Sequence, residues 1–167
     1  MSSFGEAIGP VCVPLARISA TTVSPSCLAL DLAQAGSHRK WTTIALRFLG
    51  ILALRTGDGS GAREHLRAAV KAADGMPIHA AVGCAHLAIA TARLGDVGEA
   101  GRLVDRAFAE AERGWPYTLH EVRLARVEVA AARGDPEASR MVAEALAEAE
   151  REGFLSLVPR LETFVHP

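Results

Sequence analysis

The sequence has few aromatic residues, almost no net charge and few cysteines. Aromatic side chains make up 5% of the 167 residues, whereas 50% are apolar, mostly alanine with leucine and valine. This composition favours closely packed helices over sheets. The formal net charge of −1 provides no basic face of the kind that displaces counterions from nucleic acid. We therefore expect one helical domain with no direct nucleic-acid partner.

The cysteines are too scattered to form a redox or metal motif. Cys12, Cys27 and Cys84 form no C-x-x-C pair and no Cys/His metal spacing. We expect reduced thiols in a cytoplasmic protein, with no metal and no cofactor. No stretch approaches the roughly 18 unbroken apolar residues of a membrane span, so no membrane partner is expected. Prolines interrupt the first apolar residues, which argues against a secretory signal, and residues 1–27 are predicted to be a loosely ordered lead-in to a domain over 28–167.

A glycine turn recurs along the rest of the chain. The strings LRTGD, ARLGD and AARGD contain Gly57, Gly95 and Gly134, which are separated by 38 and then 39 residues. A fixed period in this range is typical of helical repeats. Small and apolar residues follow each turn on one helical face. They are Ala62, Leu66 and Ala69, then Ala100, Val104 and Ala107, then Ala138, Val142 and Ala145.

A second set of breaks divides the repeats into helix pairs. Gly75-Met76-Pro77 and Gly114-Trp115-Pro116 combine a glycine that ends one helix with a proline that starts the next. We predict helices at about 28–36, 40–56, 60–74, 77–94, 97–113, 116–133, 136–152 and 155–165, with bounds good to about three residues. Trp115-Pro116-Tyr117 is interpreted either as a staple between repeats or as an exposed anchor.

This pattern resembles the tetratricopeptide repeat. The matching residues are Leu49, Gly50, Gly57, Ala62, Leu66 and Ala69, then Leu87, Ala88, Gly95, Ala100, Val104 and Ala107, and in the third copy Gly134, Ala138, Val142 and Ala145. Two features depart from the family: the period exceeds its usual length of about 34, and the aromatic residues of the first helix and the proline that closes a typical repeat are missing. In the third copy, Arg126 and Val127 stand where the first two copies have a leucine and a small residue. The pattern resembles the degenerate, alanine-rich repeats of large bacterial LuxR-type ATP-dependent transcriptional regulators.

The resemblance implies an all-α fold, a TPR-like α-α superhelix (solenoid) of antiparallel helix pairs. Its repeats would span about 40–75, 77–114 and 116–153, with a capping helix at 155–165. In the family's register, the first helix of each pair lines the concave face. The residues expected to bind a partner there are Arg47, Ile51, Arg55, Ile89, Arg93, Leu124 and Glu128.

These positions suggest a groove with an apolar floor and basic edges, suited to a peptide that carries carboxylates. The alternative is that the arginines only increase solubility. We therefore expect a protein-protein interaction scaffold without enzymatic activity, which binds a protein or peptide partner.

Three other roles stay open at this point. The repeats could be the ligand-sensing or regulatory portion of a larger transcriptional activator, or the chain could form a homo-oligomer through its terminal repeats. The third is a nucleotide-binding enzyme that uses the turn TGDGSGA, since Gly57-Asp58-Gly59-Ser60-Gly61-Ala62 fits G-x-G-x-x-A. That motif must follow a strand, whereas here it follows a predicted helix, so a structural turn is favoured.

Overall fold

The computed structural model describes residues 25–114, 118–154 and 158–164. Within these ranges the chain is helical and contains no strand, which confirms the predicted all-α class. The helices are α1 Pro25–Ala35, α2 Arg39–Arg55, α3 Gly59–Ala72, α4 Pro77–Arg93, α5 Val97–Arg113, α6 Leu119–Ala132, α7 Ala138–Arg151 and α8 Val158–Glu162. Each begins within about three residues of its predicted start. The lead-in 1–24 and the cluster Trp115-Pro116-Tyr117 lie outside the described residues.

The recurring glycine-aspartate turn is explained by two local requirements. Gly57, Gly95 and Gly134 have φ values of 80°, 88° and 66°, which residues other than glycine rarely adopt. The aspartate that follows then caps the next helix, because Asp58 Oδ1 accepts a hydrogen bond from the Gly61 amide at 2.8 Å. Asp96 accepts the corresponding bond from Glu99 at 3.0 Å. In the third turn Asp135 Oδ1 accepts instead from the Glu137 amide at 2.9 Å, and α7 itself begins without a side-chain cap.

Helix α4 lies at the centre of the molecule and contacts α2, α3, α5 and α6. Every residue from 80 to 92 is buried. Its sequence contains no charged residue before Arg93, and a helix that is apolar on all sides is stable only when neighbours surround it. Many of its core-facing residues are alanine or glycine, which lets those neighbours approach closely.

Small residues allow the helices of a pair to cross closely. In the first pair a Cβ added to Gly50 of α2 would overlap the side chain of Leu66 on α3, which is fully buried. In the second pair Ala88 occupies the same position and is also buried. In the third, Val127 is buried and Arg126 is exposed, with its guanidinium 5.3 Å from the Phe108 ring. The third pair therefore departs from the first two at this position, with an exposed arginine in place of a buried leucine and a buried valine in place of a small residue.

The short helix α8 covers the carboxyl-terminal end of the described core. Leu161 is 2% exposed and packs with Leu124 and Val127 of α6 and Val142 of α7. Arg160 also reaches the carboxylate of Glu121 on α6, at 3.4 Å. This end of the core is thus closed by both apolar and charged contacts.

Candidate functional site

The structure separates the predicted partner-binding residues into buried, paired and exposed groups. Ile89 and Leu124 are 2% and 1% exposed, so both lie in the core. They do not form the floor of an accessible groove, which corrects their predicted role. Ile89 is covered because α4 contacts α2 and α6 on either side, which buries its whole central segment. Leu124 on α6 packs instead with Val142 of α7 and Leu161 of α8.

Arg93 and Glu128 bind each other across α4 and α6. Arg93 Nη2 lies 2.8 Å from Glu128 Oε2, and the glutamate side chain is only 10% exposed. Arg160 Nη2 on α8 approaches the other carboxylate oxygen at 4.0 Å. The charge of Glu128 is therefore neutralised within the chain, although Arg93 itself stays half-exposed.

A second charged group on the same side of these helices surrounds His86. Its Nδ1 lies 2.9 Å from the Val82 carbonyl oxygen, so that nitrogen carries a proton and donates. Its Nε2 is 3.7 Å from Glu121 Oε2, the carboxylate that also accepts from Arg160. Burial lowers the pKa of His86, and the negative charge of Glu121 opposes that shift. His86 is therefore held neutral inside the protein near neutral pH.

The guanidinium of Arg47 on α2 lacks one hydrogen-bond acceptor among the described residues. Its Nε is buried and has no hydrogen-bond partner within the described part of the chain. Burial lowers the pKa of its guanidinium, while Glu121 acts in the opposite direction. A buried donor without a partner is uncommon in folded proteins and marks a position where an acceptor would be stabilising.

The exposed side of α2 carries large apolar residues that the predicted groove did not include. Trp41 is 59% exposed and Phe48 is 53% exposed, and they lie about two turns apart along the same side of the helix. The half-buried Ile44 lies between them, the half-buried Ile51 follows Phe48, and the exposed Arg55 lies one turn further on. We call these five residues the α2 face: Trp41, Ile44, Phe48, Ile51 and Arg55. Exposed tryptophan and phenylalanine are typical of interaction surfaces.

Cations flank both aromatic rings of the α2 face. Lys40 Nζ lies 5.9 Å from the centre of the Trp41 ring, and Arg47 Cζ lies 5.3 Å from that of Phe48. Helix α2 contains four basic residues and no acidic one. Arg55, one of the predicted binding residues, is exposed and makes no ion pair with any described residue.

Helix α1 adds exposed leucines at the same end of the molecule. Leu28 and Leu32 are 52% and 65% exposed and lie on one side of α1, which packs against α2. Helix α3, the second helix of the first pair, can be compared with α1 by aligning the sequence at Leu66 with that at Leu30. At the positions that correspond to the α1 leucines it carries Glu64 and Ala68. The exposed apolar residues at this end therefore belong to α1 and α2, and the corresponding positions of α3 do not repeat them.

The glycine-rich turn is accounted for by helix capping. The Gly61 amide donates to Asp58, and the Gly59 amide donates to the Gly57 carbonyl at 3.1 Å. A Cβ on Gly61 would overlap the Asp58 carboxylate, so the glycine makes room for the cap. A carboxylate thus already lies at the amino end of α3, where a phosphate would have to bind.

Other chemically reactive groups give no site. Cys84 is buried, and burial raises the pKa of its thiol, which makes it unreactive. Across residues 25–114, 118–154 and 158–164, no three His, Cys, Asp or Glu side chains are grouped to hold a metal ion. The helices in those ranges are also too short or too polar to cross a membrane.

Comparisons with protein-family models, with curated proteins and with solved structures found no match to this chain. Function is therefore inferred from the chain's own residues.

Proposed function

We propose that this protein is a tetratricopeptide-like scaffold that binds a protein or peptide partner through the α2 face. The observation that carries the proposal is the pair Trp41 and Phe48, each more than half exposed, in line with Ile44 and Ile51 on one side of α2. Large aromatic side chains dominate binding energy in many interfaces, and a contiguous apolar row is uncommon on a surface without a partner.

The order of helix contacts supports the tetratricopeptide-like part of the proposal. The first helices of successive pairs, α2, α4 and α6, contact each other in turn, and each also contacts the second helix of its own pair. Left-handed glycines join the helices within each pair. This arrangement is what a superhelical stack of helix pairs requires.

The binding surface differs from the groove expected from the sequence. Ile51 and Arg55 remain in it, and Arg47 flanks it, because all three belong to α2, whose outer side is open. The positions on α4 and α6 drop out because they are buried or paired within the chain. The proposed mechanism is display of a rigid apolar surface, which needs no chemical step.

The test is partner capture by the full chain and by a double variant, Trp41→Ala with Phe48→Ala. A matched control is Leu94→Ala, since Leu94 is also an exposed large apolar residue, 41% exposed, but follows α4. The immobilised proteins are incubated with extract, captured proteins are identified, and the purified partner is titrated against each variant. We expect the double variant to lose about tenfold or more in affinity while the control binds normally.

Both variants remove exposed side chains, so each should keep its helicity and change unfolding stability by no more than about 0.5 kcal/mol. Equal affinity of all three proteins for the purified partner would contradict the proposed surface.

A further inference from the structure

The geometry of the α2 face points to a particular kind of partner, and we infer that it is an acidic amphipathic helix. This inference rests on the proposed function and specifies what occupies its surface. It is carried by the spacing of the exposed residues and by the unbalanced charge of α2.

The spacing fits a helix more closely than an extended peptide. Trp41, Ile44, Phe48 and Ile51 follow one another at alternating intervals of three and four residues. This is the seam with which one helix packs along another. At about 1.5 Å per residue the row extends for roughly 15 Å along an unbroken helix, which accommodates about three turns of a partner. An extended peptide that binds by adding a strand would need a free strand edge, and the described residues contain no strand.

The charge of α2 selects an acidic partner. Its basic residues are Arg39, Lys40, Arg47 and Arg55, and no acidic residue offsets them on the same helix. Lys40 and Arg47 lie beside the exposed rings, where a helix packed on the seam would place its flanking side chains. Glutamates at those flanking positions would pair with the cations, as they do at the edges of coiled coils.

A second copy of this chain fits the α2 face poorly. Pairing α2 with α2 of another molecule would bring two sets of basic residues together, which costs affinity. The acidic helix α7 is the other candidate, but two of its three glutamates are already paired. Glu148 lies 2.6 Å from Arg123, and Glu144 lies 2.7 Å from Arg140. A different chain with unpaired carboxylates is therefore the better occupant.

The experiment uses two synthetic helical peptides of about 18 residues, a length that spans the seam. Both carry leucine at the same three-and-four spacing, and one has glutamate and the other lysine at the flanking positions. Each is titrated by calorimetry into the full chain at about 50 mM salt, where charge effects are well resolved. We expect the glutamate peptide to bind at least about tenfold more tightly, with an advantage that shrinks as salt is added.

Variants separate the apolar and charged contributions. Trp41→Ala with Phe48→Ala should abolish binding of the glutamate peptide. Arg47→Gln with Arg55→Gln should leave binding but remove most of the preference for glutamate. Arg102→Gln is the control, because Arg102 is an exposed arginine on α5 that makes no ion pair with any described residue.

The possible outcomes test the acidic preference, the helical form of the partner and the identity of the occupant separately. Equal binding of the two peptides, lost in the aromatic variant, would overturn the acidic preference and leave the proposed surface intact. Binding of neither peptide would overturn the helix inference, whereas the capture experiment tests the proposed function independently. Self-association in sedimentation velocity that the aromatic variant abolishes would show that the occupant is a second copy and would also overturn the inference.

Discussion

The close crossing of α2 and α3 makes the strongest prediction about stability. Gly50 lies against the side chain of Leu66, which is fully buried, and a Cβ on the glycine would overlap it. Three variants test this contact: Gly50→Ala, Leu66→Ala and the combination of both. The combination is informative because the methyl group added at position 50 would enter the space that the leucine leaves.

The expected magnitudes follow from packing. Leu66→Ala removes a fully buried side chain and should lower the free energy of unfolding by about 2–5 kcal/mol. Gly50→Ala should cost about 1–3 kcal/mol through overpacking, of which the higher helix propensity of alanine recovers about 1. In the double variant the two changes compensate, so its loss should be smaller than the sum of the single losses by about 1 kcal/mol or more.

The assay is urea unfolding followed by far-ultraviolet circular dichroism, with the free energy taken from linear extrapolation. Gly98→Ala serves as the control, because a Cβ there meets only the carboxylate of Asp96 at 3.9 Å. This control should be neutral or slightly stabilising. If Gly50→Ala stabilises the protein as much as the control does, or if the double loss equals the sum, the close crossing is not present.

Three further changes test the turns, the buried histidine and the ion pair between α4 and α6. Asp58→Ala removes the cap of α3 and should lower the free energy of unfolding in urea by about 1 kcal/mol, whereas Asp74→Ala, which breaks no hydrogen bond or ion pair with a described residue, should not; equal losses would contradict the capping role. Because burial lowers the pKa of His86, the unfolded chain binds a proton there more readily, so stability is lost as pH falls from about 6.5 through the folded pKa. His86→Asn should reduce the loss of unfolding free energy between about pH 7 and 5, measured from unfolding curves at each pH. An unchanged dependence on pH would contradict the role of His86. Arg93→Ala removes a half-exposed ion-pair partner and should cost less than about 1 kcal/mol, so a loss of several would show that the pair is structurally essential.

The helical architecture could be predicted from the sequence because its signals are local. Gly57 and Gly95 adopt left-handed conformations that few other residues accept, and the aspartates after them cap the next helix. These requirements act within a few residues of the chain, so their recurrence located the helices. Gly50, a small residue that matches the repeat pattern, lies against Leu66 where α2 and α3 cross closely.

The burial of Ile89 and Leu124 could not be read from the pattern of a single helix. Apolar spacing shows which residues share a side of a helix, but not how many sides its neighbours cover. A signal was nevertheless present, since α4 has no charged residue before Arg93. A helix without a polar side is expected to be surrounded, and on that ground Ile89 belongs to the core.

Trp41 and Phe48 were missed for the opposite reason. Helix α2 has two apolar sides, of which one contributes Leu46 and Leu49 to the core and the other is exposed. The family's register directed attention to Arg47, Ile51 and Arg55 and not to the aromatic residues beside them. The alternating interval of three and four residues from Trp41 to Ile51 would have revealed the second side.

The charges along α2, α4 and α6 explain why a partner with carboxylates is expected to bind at one end of the molecule. On α4 and α6 the opposing charges meet inside the chain: Arg93 pairs with Glu128, and Glu121 lies between His86 and Arg160. Charges that neutralise one another leave little field to attract or reject a partner. On α2 the cations have no acidic counterpart of their own, and the acidic residue that influences Arg47 is Glu121, whose charge Arg160 already shares. An incoming carboxylate therefore gains most at α2, where it meets both these cations and the exposed aromatic rings.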